Sequence, residues 1–464
     1  MHADAMRPEE AFRRTPPGPG ALRDFGLPPV ERRTLANGLT LLSCTSRHFP
    51  VVTVSMLLEA GGVYEPAEKA GVAALTAELL ESGAGARSAA DIAEDAESLG
   101  VSLGSSISWD VAYVGLTGLR SKLEPASEIL ASVVREPTFP LEEVERLRAE
   151  RLAEILQRRA DPRSLASEMA SRFVFSPETP FSRPLGGPSA TVAMLQRGDV
   201  ETFYRARYRP GDTSVLVVGD ISADEAAALV EARLGDWSGV PEPAGEVLVR
   251  PRSPEAQMII IDRPGAVQSE LRIGHVGVER ATPDYFSIVV MNTILGGAFS
   301  SRLNLSLRER HGYTYGVSSG FAMRRSPGSF LVSTAVQTEV TAPAVREVLA
   351  TLAGMRDAEV TPAELNDARN YLAGIFPLRV QTTDGLASRL AELVIYGLPE
   401  DYFEHYRERV LAVSADEVLR AAQRYLRPAE LAVVVVGDAA KIAGPLAELG
   451  LGEPRIYNQE GEER

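Results

Sequence analysis

The residues best placed to do chemistry in this chain are Arg308 and Tyr315, within LGGAFSSRLNLSLRERHGYTYG from Leu295 to Gly316. Ser300 or Ser301 can cap a helix through its hydroxyl, Leu303 and Leu307 lie one turn apart on one face, and Gly312 suits the left-handed residue that stops a helix. Beyond it Tyr313, Tyr315 and Val317 alternate as a strand does. Arg308 is therefore expected in the last turn of a short helix, and Tyr315 on the strand leaving it. A guanidinium fork and a phenol brought to one place can grip a peptide carbonyl. Residue types alone favour a plainer origin for Arg308, a cation drawn to the negative end of the helix dipole. Tyr315 reads equally as a half-buried strand residue, with Tyr313 competing for its place. Gly296-Gly297 reads as a flexible break, either a loop or a backbone offered to an extended peptide by strand addition.

Other reactive groups are sparse. The five histidines are His2, His48, His275, His311 and His405, and no two fall within one helical turn, so no local His-x-x-x-His metal pair exists. His311 reads as a helix-end cation. Cys44 is the single cysteine, which rules out a disulfide within the chain; it reads as a small buried hydrophobe at a strand end. No Gly-x-Ser-x-Gly elbow supports a serine hydrolase. A formal charge of −15 argues against a nucleic-acid partner and weakly favours basic peptides. No run approaches the ~18 consecutive apolar residues of a membrane helix, so no membrane association is expected. The N-terminal stretch lacks the apolar core of a signal peptide, which favours the cytoplasm, or the periplasm had a leader been removed.

The elements that must position these residues come in two sets. At 464 residues the chain exceeds one ordinary core. Residues 1–30, with Pro16, Pro17 and Pro19, read as a flexible arm. Asn37-Gly38 marks a hairpin, Val51 to Leu58 a strand, Glu65 to Leu80 and Ala89 to Leu99 helices, and Val111 to Leu116 a strand. Helices follow near Leu123 to Val134 and from Leu141 to Arg158, the second stopping before Asp161-Pro162. Ser214 to Val218 is a buried strand ending in Gly219-Asp220, and Ala223 to Leu234 a helix. The second half repeats the order: strands Ile259 to Ile261 and Leu271 to Val276, helix Tyr285 to Leu295, strand Ser329 to Ala335, then helices Ala342 to Met355 and Pro362 to Phe376. Arg427-Pro428 followed by Ala432 to Val436 and Gly437-Asp438 matches Arg209-Pro210 followed by Val215 to Gly219-Asp220, with equal Pro-to-Gly spacing. An internal duplication explains both order and spacing. The halves are 31–237 and 257–464, joined by a Pro- and Gly-rich linker at 238–256. Each half reads as an α+β sandwich, helices over an antiparallel-rich sheet.

This duplicated plan, with Gly-Gly, Ser-Ser-Arg-Leu, Leu-Arg-Glu and Gly-x-x-Tyr in register, resembles the pitrilysin and mitochondrial-processing-peptidase family of zinc metallopeptidases over roughly Arg32 to Gly437. AGGVYEPAEKAGVAAL likewise looks like that family's approach to its catalytic helix. The resemblance implies a clam-like half-chamber and an inverted His-x-x-Glu-His box, but its three positions here hold Ala74, Ala77 and Glu78. An alanine methyl has no lone pair for zinc, and Ala77 leaves no general base. Glu154 matches the family's downstream glutamate ligand; without the histidines it and Glu78 read as ordinary helix carboxylates at a vestigial site. The resemblance further implies that Arg308 and Tyr315 bind substrate main chain. In two-chain members one subunit carries the box and the other the Arg/Tyr pair, and this sequence resembles the second kind. The expectation is a non-catalytic, peptide-binding subunit that binds no cofactor itself, with zinc in a homologous partner carrying His-x-x-Glu-His. The alternative is an inactive scaffold protein of the same fold.

Overall fold

The computed structural model describes Gly20 and residues 25–464. Most of the expected N-terminal arm lies outside the described residues. Phe25 meets Phe376 edge-on at 6.0 Å, and sheet structure begins at Val30. The hairpin at Asn37-Gly38 forms as expected, pairing Val30–Thr34 with Thr40–Thr45 across Gly38 at φ 89°.

Each half is built on a six-stranded mixed sheet. The first runs Val30–Thr34, Thr40–Thr45, Ser214–Gly219, Val51–Leu58, Ala112–Leu119, Ser102–Ile107 in spatial order. The second, read from the corresponding edge, runs Arg455–Tyr457, Gln257–Asp262, Ala432–Gly437, Gln268–Val276, Ser329–Gln337, Val317–Phe321. In both, the strand that runs into Gly-Asp lies between a parallel neighbour (Thr40–Thr45 or Gln257–Asp262) and an antiparallel one (Val51–Leu58 or Gln268–Val276). The duplication is thus present in hydrogen-bond topology. Ser214–Gly219 and Ala432–Gly437 are wholly buried, as their unbroken apolar runs require. The outermost strand differs: a hairpin partner fills that edge in the first half, and the chain's C-terminal segment in the second.

The two halves are interleaved. Helix Pro162–Val174, which follows the long helix Leu141–Ala160, covers the second-half sheet, placing Leu165, Met169 and Phe173 against Ile259, Ile261 and Val434. Helix Thr383–Tyr396, which follows Pro362–Arg379, covers the first-half sheet in return. There Asp384 Oδ1 accepts hydrogen bonds from Thr53 and Thr117, both at 2.7 Å. Each half therefore lends one helix to the other half's sheet. Asp161 starts the first exchanged helix by accepting from the Ser164 N–H at 2.9 Å, with Pro162 at its first turn. Residues 238–256 carry no helix or strand and are pinned at their far end: Ser176 N–H donates to Arg250 O and Arg252 N–H to Val174 O.

Several expected boundaries shift. Glu65 to Gly71 holds only a 3-10 turn at Ala67–Lys69; Pro66 and left-handed Gly71 (φ 100°) delay the α-helix to Val72–Leu79. Strand Ser102–Ile107 was not anticipated, being rich in Ser and Gly and alternately exposed at a sheet edge. Tyr285–Arg310 reaches a mean hydropathy of 1.2 and the length of a membrane span, which the apolar-run criterion did not flag. It is broken by extended Ala298, and its apolar residues Ile288, Met291, Leu295, Leu303 and Leu307 sit in the core.

Candidate functional site

Asn292 and Asn304 organise the neighbourhood of Arg308. The helix Tyr285–Asn292 continues as a wide π turn through Gly297. The glycine pair is therefore the end of a helix, not the flexible break expected. Gly296 is buried, and a Cβ there would lie 2.8 Å from Ser319 N, so this glycine lets helix and strand touch. Strand addition at the adjoining edge is obstructed too. Asn304 donates to Val317 O at 2.8 Å and accepts from Val317 N–H at 3.2 Å. Asn292 donates to Ser319 O at 3.1 Å. Two amide side chains thus occupy backbone groups of edge strand Val317–Phe321.

After Ser301 the chain winds again over Arg302–Arg310, and Gly312 at φ 63° ends it, so Arg308 does sit in a last helical turn. Tyr315 departs from expectation: the strand begins at Val317, and Tyr315 lies on a bend before it. That bend is anchored on both sides, since Thr334 Oγ1 bonds Thr314 Oγ1 at 2.9 Å and Gly316 O at 3.0 Å. The Tyr315 side chain is left 95% exposed. Tyr313 is separated from it, stacked on His311 at 5.0 Å. His311 lies near the helix end as expected, 3.6 Å from Glu347.

Arg308 and Tyr315 line one cleft of about 730 Å³. Its floor is the second-half sheet face opposite Leu271 and Ile273, where Arg272 pairs with Ser333 and Glu270 with Ala335 across strands. Arg272 is buried and satisfied by Glu270 at 3.0 Å, Ser167 at 3.2 Å and Arg163 O at 3.1 Å. Phe299 completes the wall, 72% exposed, with the Arg308 guanidinium 4.3 Å above its ring. Among the described residues Arg308 forms one ion pair, with neighbouring Glu309 at 3.4 Å through Nε, which leaves the two Nη groups of its fork available. Gly296 and Gly297 do not line this cleft; Gly297 opens onto a separate one beside Arg280 and Tyr371. Sequence reasoning missed Phe299, Asn304, Arg163, Glu270 and Arg272. Glu270-x-Arg272, two charges alternating with apolar Leu271 and Ile273 along one strand, was the available signal.

The helix carrying this site is tied to the long helix behind it. Arg302 grips Glu364 through two bonds of 2.7 and 3.0 Å, while Glu364 also accepts from Thr361 N–H at the helix start. The Arg302 guanidinium holds the Glu364 carboxyl down at about 2, from an ordinary 4.5. A depressed carboxylate stabilises the fold fully above its unfolded value and loses that contribution as pH falls through the folded value. Glu364→Gln is therefore expected to be less stable than the parent at neutral pH, the gap closing as pH drops from about 4.5 towards 2, by urea unfolding across pH. Partial exposure keeps the effect modest.

The positions of the degenerate box lie elsewhere. Ala74 and Ala77 are buried on Val72–Leu79, and none of Ala74, Ala77, Glu78 or Glu154 lines the Arg308 cleft. Glu65 caps that helix, accepting from Gly71 N–H at 2.9 Å and Ala73 N–H at 3.2 Å, and burial pushes its carboxyl up to about 7. Glu78 and Glu154 both pair with Arg151. No group of three or more His, Cys, Asp or Glu side chains able to hold a metal occurs among the described residues. Two alanines and two carboxylates already engaged by a guanidinium do not fit a zinc ion. His275 is buried, neutral and structural, pushed down to about 4 by burial, with Nε2 accepting from Arg427 N–H. Cys44 is buried, its thiol pushed up to about 11.

Comparison with known proteins agrees with this architecture. Residues 41–189 match the model for insulinase (peptidase family M16), and residues 195–372 that for the peptidase M16 inactive domain. The chain is 27% identical over 421 residues to an uncharacterized zinc protease of Mycobacterium leprae, covering 89% of this chain and 93% of that protein. It is 21% identical over 402 residues to a protein of Helicobacter pylori named a non-peptidase homolog, covering 84% and 90%. The solved peptidase M16 inactive domain from Pseudomonas fluorescens superposes with a TM-score of 0.81 at 27% identity, covering 88% of this chain and 98% of that one. The chain belongs to the peptidase M16 family, the pitrilysin and mitochondrial-processing-peptidase-like metallopeptidases, and carries a box that has lost its metal-binding side chains.

Proposed function

We propose that this chain is the non-catalytic, substrate-binding subunit of a two-chain zinc peptidase, its partner being a homologous chain with an intact His-x-x-Glu-His. The observation that carries this reading is the pairing of an open cleft presenting Arg308 and Tyr315 with a first half whose box positions hold no ligand set. The zinc, and the hydrolytic chemistry it supplies, belong to the partner. This chain holds the peptide: the Arg308 fork and the Tyr315 hydroxyl donate hydrogen bonds to main-chain carbonyls near the scissile bond. They hold the peptide extended, and one of them faces the oxygen on which negative charge grows. The anchored bend at Thr314 and Gly316 fixes the Tyr315 backbone before substrate arrives. A cytoplasmic location accompanies this reading.

Mixing the purified chain with a box-containing M16 relative encoded beside it tests the proposal. A stable 1:1 complex that cleaves unfolded peptides, where this chain alone does not, supports it. The second reading, an inactive scaffold, draws on the non-peptidase name of the Helicobacter pylori relative. It predicts a complex whose cleavage is indifferent to Arg308 and Tyr315.

A further inference from the structure

The degenerate box is not an empty version of a metal site. Arg151, on the long helix Leu141–Ala160 and one turn before Glu154, reaches between the two carboxylates. Its Nη2 donates to Glu78 Oε1, and its Nη1 lies 3.5 Å from Glu154 Oε2. The Arg151 side chain is only 14% exposed, against 38% and 52% for the carboxylates, so the cation is the interior member of the trio. The backbone at Gly186 closes over it: a Cβ added there would stand 2.9 Å from Arg151 Nη1. A side chain at 186 would therefore press on the guanidinium beneath.

We infer that Arg151 takes the place a metal ion would hold between helices Val72–Leu79 and Leu141–Ala160, clamping them together and excluding divalent cations from the first half. Guanidinium suits the task because it stays protonated at any physiological pH and its planar fork can serve two carboxylates at once. A histidine or lysine could surrender its proton to an arriving metal; arginine does not. Any dication placed between Glu78 and Glu154 would face this fixed positive charge at short range. The loss of zinc binding therefore has two parts, the missing imidazoles and a resident cation, and supplying the first alone does not undo the second. The inference depends on neither Arg308 nor a partner chain, so its failure and that of the two-chain proposal are separable.

The test compares zinc affinity of the full chain carrying Ala74→His with Glu78→His, before and after adding Arg151→Met, by competition with a chromophoric chelator. Arg151→Met is expected to tighten zinc binding by about 100-fold. Equal affinity in the two backgrounds overturns the inference. Because histidines at buried Ala74 and near it can disturb folding, a second measurement needs no new ligands. In a thermal-unfolding double-mutant cycle, Arg151→Met and Glu78→Gln are expected to be non-additive, the second costing little once the first is present. Strictly additive shifts in melting temperature would overturn the clamp.

Discussion

With Arg308 changed to alanine, the two-chain complex is expected to cleave peptide about 10²–10³-fold more slowly, the usual consequence of removing one preorganised donor to a developing oxyanion. Assembly should be unaffected, because the Arg308 side chain is partly exposed and, among the described residues, meets Phe299 and Glu309 on its own segment. The competing role, a cation at a helix end, contributes only about 0.3–1 kcal/mol and is met equally by lysine. Arg308→Lys separates the two: a helix-end cation survives it, whereas a bidentate carbonyl grip does not. Tyr315→Phe removes one hydroxyl from a side chain with no other anchor and should cost about tenfold. Loss in kcat with little change in KM marks an interaction made as the reaction proceeds. Full activity in Arg308→Lys would return Arg308 to the helix dipole.

Phe173→Ala is expected to lower stability by about 3–5 kcal/mol, the range for emptying a buried aromatic site. Phe173 is 1% exposed, packs on Tyr457 at 4.7 Å and lies beneath the Arg252 guanidinium at 5.0 Å. Its position makes the consequence unusual. It belongs in sequence to the first half but covers the sheet of the second, so the loss should be felt in both. Trp237 sits in the first-half core, whereas Trp109 packs in the same cluster as Phe173; with Trp109 replaced by phenylalanine, urea unfolding followed by tryptophan fluorescence reports the first half, while far-ultraviolet circular dichroism reports the whole chain. The two transitions should shift together to lower urea. A shift in circular dichroism with unmoved fluorescence would mean that the halves unfold independently.

The duplication was legible because its markers are chemically stringent. A buried parallel strand demands an unbroken apolar run, and both copies end it with Gly-Asp after an Arg-Pro. The exchange of helices Pro162–Val174 and Thr383–Tyr396 was not legible, since an amphipathic pattern declares that a face is buried without naming the sheet that buries it. Arg308 was placed correctly because Leu303, Leu307 and Gly312 bound its helix. Tyr315 was misplaced because Tyr313, Tyr315 and Val317 mimic strand alternation, while the backbone there is held by Thr314 and Thr334 instead. Gly296-Gly297 looked like freedom and proved to be close packing. Arg151 was hidden for a different reason: its helix carries charges on nearly every turn, and only the fold shows which one points inward.

Metal content decides the central claim most directly. The isolated chain, purified with zinc present and then passed through a desalting column, is predicted to retain far less than one equivalent, and in the mixture with its partner all bound zinc should track the partner's concentration. One tightly held zinc per isolated chain, lost on substituting Glu78 or Glu154, would contradict the account.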